Sequence, residues 1–213
     1  MRVLYHFRMS PFSRRTRLAL AHKRLDAELR DGRDRPEWVE EARRLVPQRT
    51  LPVLADGGHA LADSSAIVHW LDKAYPDAPR LWPDGDDALR VLEVAALVDL
   101  VLNTTVDLAT RYFPLSQDPA WGRVKGEMLG RAGRAFEALA ARAASLGRPT
   151  IAATGWSAAD MWLYTAVIWF EGMPARAPTN QNIAQALGLG LTVPTALSQW
   201  ADAHRNRTDV LGL

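Results

Sequence analysis

An α/β domain followed by an all-helical domain is what this sequence predicts, and three observations predict it. Short apolar runs rich in β-formers alternate with helical patterns up to Tyr75, in the order β-α-β-α-β-β-α. A stretch rich in Pro, Asp and Gly then interrupts the pattern from Pro76 to Asp87. Beyond it only helical periodicity remains. At 213 residues the chain is long for one compact domain and ample for two. The expected boundaries are 1–78 for the α/β domain, 79–87 for the linker and 88–213 for the helical domain.

Each element has its own signal. Residues 2–7 (RVLYHF) read as a buried strand. Ser10-Pro11 pairs a cap residue with proline at the first helical position, and the helical pattern runs to about Lys23 through Leu18, Leu20 and Ala21. The stretch 25–31 (LDAELRD) alternates apolar and polar residues and suits a half-exposed strand. Pro36 to Leu45 is a short charged helix carrying Trp38, Val39 and Ala42. Thr50–Ala55 and His59–Leu61 flank Asp56-Gly57-Gly58, a strong hairpin signal. Asp63-Ser64 opens a helix that Pro76 stops. In the second part, helices are expected over 88–113, over 121–146, from Trp156-Ser157 to Phe170, and after Pro194. Prolines and glycines in 172–194 predict a long loop around one short helix.

Composition narrows the function classes. Apolar residues make up 48% and charged residues 23%, so a substantial core is expected. Through residue 80 there are 15 Lys and Arg against 11 Asp and Glu, too mild an excess for nucleic acid but suited to a small anionic ligand. The absence of cysteine excludes disulfides, Cys-based zinc sites and cysteine nucleophiles within these residues, and fits a cytoplasmic setting. The first residues lack the apolar core of a signal peptide. No apolar run approaches the roughly 18 residues that span a bilayer, since Glu93 and Asp99 break the best candidate, Val91 to Leu102. The histidines lack metal-ligand spacing, and no phosphate loop or dinucleotide fingerprint is present.

Three local motifs carry a resemblance to a known family. YHFRMSPFSRRTRLAL places Ser-Pro-Phe ahead of R-x-R-L-A-L. TLPVLADGGHALADSSAIVHWL joins a V-P-x-L-like strand, a hairpin and an acid-Ser-x-Ala-Ile helix start. WSAADMWL carries S-x-A-D. In this order and at these distances they resemble the cytosolic glutathione transferases, in particular serine-type, tau-, zeta- and omega-like and bacterial members. The resemblance covers nearly the whole chain. It implies a thioredoxin-like N-terminal domain that binds glutathione as co-substrate, an all-α bundle, a homodimer, no metal and a small apolar electrophile as second substrate. Alternatives on the same fold are a non-catalytic binding or regulatory protein and a glutathione-dependent isomerase, dehalogenase or peroxidase.

The chemistry gives these residues their meaning. A free thiol with a pKa of about 8.5 is only about 3% thiolate at neutral pH, and the thiolate is the nucleophile. A hydroxyl and backbone amides at a helix N-terminus stabilise that anion. Ser10 sits where such a hydroxyl belongs, although its residue type and place equally suit a plain N-cap. The resemblance makes Ser10 the catalytic residue, with Phe12 beside it and Ser13 an exposed bystander on the same turn. Tyr5 reads as core, because its distance to Arg17 is one residue too long for the tyrosine-type alignment. Pro52 resembles the family's cis-proline, which turns the Leu51 amide toward the glutathione backbone. Asp63 and Ser64 resemble the pair that takes the γ-glutamyl ammonium and carboxylate, with Asp where Glu is common. Gln48, Arg49 and Thr50 depart from the family's pattern; Arg49, Gln48 or Arg35 can meet the glycyl carboxylate, although each reads equally as a solvated surface side chain, and Phe12, Ser13 and Thr50 are candidates for additional glutathione contacts. Ser157 and Asp160 read as a structural capping box. Trp121, Trp162 and Trp169 read as core, and Tyr112 and Phe113 as candidates for the electrophile site.

Overall fold

The computed structural model describes residues 1–147 and 149–205. The chain divides into two compact units, Met1–Asp84 and Gly85–His204. The last eight residues of the domain expected over 88–213 lie outside the described residues.

The first unit is built on a four-stranded sheet. Strand β1 (Val3–His6) is buried along its whole length, as an apolar run without alternation requires. Helix α1 (Pro11–His22) follows, then strand β2 (Glu28–Asp31), parallel to β1 with His6 opposite Asp31. Helix α2 (Pro36–Leu45) leads to strands β3 (Val53–Asp56) and β4 (His59–Ala62), and helix α3 (Ser64–Ala74) closes the unit. The sheet order is β2-β1-β3-β4, with β3 antiparallel to both neighbours. Gly57 (φ 57°) and Gly58 (φ 87°) form the turn between β3 and β4, where two successive positive φ values exclude most side chains.

Two strands are shorter than their sequence patterns. The stretch 24–27 ends α1 instead of starting β2. Arg24 takes φ 55°, and the Leu25 amide reaches back to the Leu20 carbonyl at 2.9 Å, the arrangement that satisfies a helix's last carbonyls. Strand β3 begins only at Val53, because Pro52 has no amide to offer the ladder.

The Pro- and Asp-rich segment is tied down where it leaves α3. Buried Asp72 accepts the amides of Leu81 (3.1 Å) and Trp82 (2.7 Å). It also meets the Lys23 ammonium at 2.6 Å. Lys23 in turn donates to the Pro79 carbonyl at 3.0 Å. Removing one partner of such a pair leaves a buried charge uncompensated, so Asp72→Ala is expected to destabilise the protein by about 3–5 kcal/mol. Urea denaturation reads this as an earlier midpoint. The exposed Asp77→Ala should leave the midpoint in place.

Every regular element of the second unit among the described residues is helical. Helix α4 (Asp86–Val106) widens into a π-helical turn at Asp107–Arg111, and a 3-10 turn spans Phe113–Leu115. Helices α5 (Trp121–Ser145) and α6 (Ala158–Glu171) both pack on α4. Twelve of the fourteen residues of α6 are buried, including Trp162 and Trp169, which makes it the centre of the unit. Its start carries the expected capping box. The Ser157 hydroxyl and amide both donate to Asp160, at 2.7 and 2.9 Å, and the Ile151 amide adds a third bond at 2.7 Å. With that many donors a fully buried carboxyl is satisfied.

The long loop expected over 172–194 is corrected. Helix α7 (Met173–Arg176), a 3-10 turn at Ala177–Thr179 and helix α8 (Gln181–Leu187) fill most of it, before helix α9 (Thr195–Asp202). Pro174 and Pro178 stand at starts of turns, where a missing amide costs nothing. Asn180 caps α8 by accepting the Ile183 amide at 3.2 Å. These residues start helices here; they do not break them.

Candidate active site

Strand register brings the sequence motifs of the first unit to one end of its sheet. Tyr5 pairs with Val53, and Val53 pairs with Ala62. One step further along, Pro52 lies level with His6 on one side and Asp63 on the other. The turn after β1, the Leu51-Pro52 segment before β3 and the Asp63-Ser64 corner after β4 therefore share an edge. Apolar pairing along the strands sets this register.

Ser10 caps α1, and its Oγ accepts the Ser13 amide at 3.3 Å. That bond uses the oxygen as acceptor, and among the described residues nothing takes the hydroxyl proton. The side chain is half-buried, so the hydroxyl is within reach of solvent at a helix N-terminus, where an anion is favoured.

Ser13 is not the exposed bystander expected from its position. It is fully buried, and its Oγ accepts the Phe7 amide at 3.2 Å. The first turn of α1 faces the end of β1, so Ser13 holds the turn that carries Ser10. Phe12 is half-buried, with the Arg15 guanidinium 5.3 Å from its ring centre.

Tyr5 belongs to the core with Val3, Ala42, Val46 and Val53. Its hydroxyl donates to Glu41 at 2.7 Å and accepts from Arg30 at 3.0 Å. Burial and the Glu41 bond push its pKa up to about 12. A phenol so placed has its proton engaged away from the Ser10 turn.

The Leu51–Pro52 bond is cis, and Leu51 packs against the same core cluster. Asp63 takes φ 78° and caps α3 through its Oδ1, which accepts the Ala66 amide at 3.0 Å. The Asp63 carbonyl takes the Ile67 amide at 2.9 Å. The Ser64 and Ser65 amides open the helix without intrahelical partners. Asp63 is exposed and Ser64 buried, so the acid faces solvent while the hydroxyl sits against the unit. Gln48, Arg49 and Thr50 are all exposed, as is Arg35, whose guanidinium lies 5.1 Å from the Trp38 ring centre.

Sequence reasoning missed the polar groups behind the turn. Buried Asp31 accepts the Arg8 amide at 3.2 Å, and buried Arg17 donates to the Arg8 carbonyl at 2.9 Å. The available signal was charge in the wrong place: Arg17 stands directly before the apolar run Leu18-Ala19-Leu20. Close by, His6 is buried at the end of β1, and burial together with the Arg17 charge lowers its pKa.

In the second unit, Tyr112 and Phe113 are each 38% exposed. Tyr112 lines a cavity of about 410 Å³ with Leu108, Leu115, Trp121, Val124 and Met128, whereas Phe113 does not line it. Trp121 is therefore a cavity wall and not the core residue expected. Asp118 is the one charged residue of that lining. Among the described residues no group of three or more His, Cys, Asp or Glu is placed to hold a metal ion, and no helix is long and apolar enough to cross a membrane.

This combination, a thioredoxin-like sheet followed by a helical unit with the polar motifs at one sheet edge, defines a class, and comparison with known proteins gives the family. Residues 4–79 match the family described as the glutathione S-transferase N-terminal domain. A probable glutathione S-transferase GSTU1 of Oryza sativa subsp. japonica is 33% identical over 135 residues, covering 60% of this chain and 58% of the relative. A maleylpyruvate isomerase of Ralstonia sp. is 37% identical over 97 residues, covering 45% and 46%. The chain thus matches about half of the length of these relatives. A glutathione S-transferase of Methylobacterium radiotolerans, solved with glutathione sulfonate, superposes with a TM-score of 0.72 at 22% identity, covering 98% of this chain and 92% of that one. One from Methylobacillus flagellatus, solved with glutathione bound, gives 0.72 at 23% identity, covering 99% and 97%. Residues 4–79 thus match the glutathione S-transferase N-terminal domain family, and the chain as a whole has the fold of solved glutathione S-transferases.

Proposed function

We propose that the protein is a glutathione transferase that conjugates glutathione thiolate to small apolar electrophiles, with the Ser10 hydroxyl stabilising the thiolate. The observation that carries this reading is the shared sheet edge of Ser10, Leu51-Pro52 and Asp63-Ser64. In it Ser10 and the amides of α1 face the sulfur, the Leu51 backbone pairs with the tripeptide, and Asp63 with Ser64 takes the γ-glutamyl end. Arg49, Gln48 or Arg35 meets the glycyl carboxylate. The domains are 1–78 for glutathione, 79–87 as linker and 88–213 for the helical part. Leu89 and Leu92, one turn apart on α4 and 75% and 49% exposed, suit a homodimer, which light scattering would test.

Titrating the thiol by ultraviolet absorbance with glutathione bound separates a catalyst from a mere binder. A catalyst lowers the thiol pKa well below its free value, whereas a binder leaves it there. For ligand capture, Asp63→Asn is the appropriate change. Asn keeps the cap and tolerates positive φ while removing the charge. Asp63→Asn and Ser64→Ala are expected to weaken glutathione binding by about ten-fold each, a charged hydrogen bond being worth about 1.5–3 kcal/mol, with little change in thiol pKa. Calorimetry with unchanged affinity in both variants would sink the γ-glutamyl assignment.

A second reading, a glutathione-dependent isomerase, has the named Ralstonia relative in its favour. Under the first reading, the Tyr112 cavity, with an apolar and aromatic lining and a single acid, is a candidate seat for an uncharged electrophile.

A further inference from the structure

We propose that Arg17 and Asp31 are positioning residues, which hold the two peptide groups on either side of the Arg8 Cα and thereby set where the turn holds the Ser10 hydroxyl. This rests on the role of Ser10 given above. Residues 7–10 belong to neither strand nor helix, so their geometry depends on the partners of their peptide groups. The Phe7 amide goes to Ser13 Oγ and the Ser10 amide to the Phe7 carbonyl, at 3.2 and 3.0 Å. Between them, the Arg8 amide is held by a buried carboxylate and the Arg8 carbonyl by a buried guanidinium. The two peptide groups that flank the Arg8 Cα are thus held by charges of opposite sign, one each.

Both charges stand in costly places. Asp31 ends β2 at 3% exposure, and its Oδ1 accepts the Arg33 amide at 3.0 Å. Its Oδ2 lies 3.4 Å from the Arg8 Nε. Arg17 is 4% exposed on α1. Burial, the nearby Arg14 and Arg8 lower its pKa to about 10 against the opposing pull of Asp31. His6 also lies beside it, its pKa lowered by burial and by the Arg17 charge. Packing alone would be served better by an apolar side chain, because a buried guanidinium carries a desolvation cost. What the guanidinium adds is a directed bond to the turn. Small displacements of a reacting group cost much rate, since a shift of about 1 Å can lower turnover a hundred-fold.

The experiment compares Arg17→Met, Arg17→Lys and Asp31→Asn, each with Ser10 intact and in the Ser10→Ala background. The readouts are the thiol pKa of bound glutathione, kcat and KM with a nitro-activated aryl halide, and a melting curve. Arg17→Met and Asp31→Asn should each raise the thiol pKa by about 0.5 and lower kcat about ten-fold, with glutathione affinity little changed. Arg17→Lys, which keeps a donor, should recover part of the loss. In the Ser10→Ala background none of the three should move the thiol pKa further. Unchanged pKa and kcat in the folded variants, or equal shifts with and without Ser10, would overturn the proposal. Should Arg17→Met fail to fold, Asp31→Asn and Arg17→Lys carry the same comparison. Ser10→Ala alone leaving the thiol pKa unchanged would refute the role of Ser10 itself, and the positioning role with it.

Discussion

Ser10→Ala is expected to raise the pKa of the bound glutathione thiol and to cut turnover with a general electrophile by about ten-fold or more, on the scale of about 1.4 kcal/mol per decade. The reason lies in how the hydroxyl is placed. Its oxygen accepts the Ser13 amide at 3.3 Å, which engages a lone pair and leaves the hydroxyl proton to be donated to a thiolate. Alanine removes that donor and leaves the backbone amides as the remaining stabilisers. It also removes an N-cap, worth about 1 kcal/mol of stability. Folding loss and catalytic loss must therefore be read separately, by melting and by thiol titration. Tyr5→Phe supplies the contrast. It cuts the Glu41 and Arg30 bonds at the far side of β1 and should cost stability while leaving the thiol pKa alone. Ser13→Ala should likewise act on stability first, through the lost bond to the Phe7 amide. A fully active Ser10→Ala alongside an inactive Tyr5→Phe would reverse the assignment.

Local chemistry decided what the sequence could reveal. The βαβαββα order, the hairpin at Gly57-Gly58 and the caps at Ser10, Asp63 and Ser157 were legible because each depends on residues within a few positions of one another. Their meeting at one sheet edge was legible only through resemblance, since register depends on pairing between β1, β3 and β4. Burial was harder to read. Ser13 looks exposed on a polar helix start, yet the approach of β1 buries it and gives its hydroxyl an amide to accept. Asp31 and Arg17 stand fourteen positions apart and meet across Arg8, a contact that no local pattern encodes. In 172–194 the prolines and glycines predict a loop because composition does not tell a helix start from a helix end. The Asn180 cap was the overlooked signal. Trp121 was read as core because an aromatic residue at helical spacing is normally packed, whereas here it borders an open cavity beside Tyr112.

The largest expected difference from relatives with a cysteine ahead of Pro-Phe concerns reaction class. In thiol–disulfide exchange, a protein thiolate attacks one sulfur of oxidised glutathione, a protein–glutathione disulfide forms, and glutathione thiolate leaves. In the proposed site Ser10 stands at the place of that cysteine and Ser13 three positions on, where a second thiol would follow, and these 213 residues contain no cysteine to replace either. A serine hydroxyl is a poor nucleophile at neutral pH and cannot form a disulfide. Burial of Ser13 against the end of β1 removes even a serine from the distal role. The site should therefore hold and activate glutathione without bonding to it. Incubation with oxidised glutathione should leave the intact mass of the protein unchanged, and protein-thiol and dehydroascorbate reductase activities should be negligible beside conjugation. Ser10→Cys is the positive control. A thiol at the N-terminus of α1 gains thiolate character from the helix amides, so the variant should take up one glutathione by mass and acquire reductase turnover while losing part of its conjugating activity. Efficient reductase turnover by the unmodified protein would overturn this reading, because no group in the site could carry the disulfide.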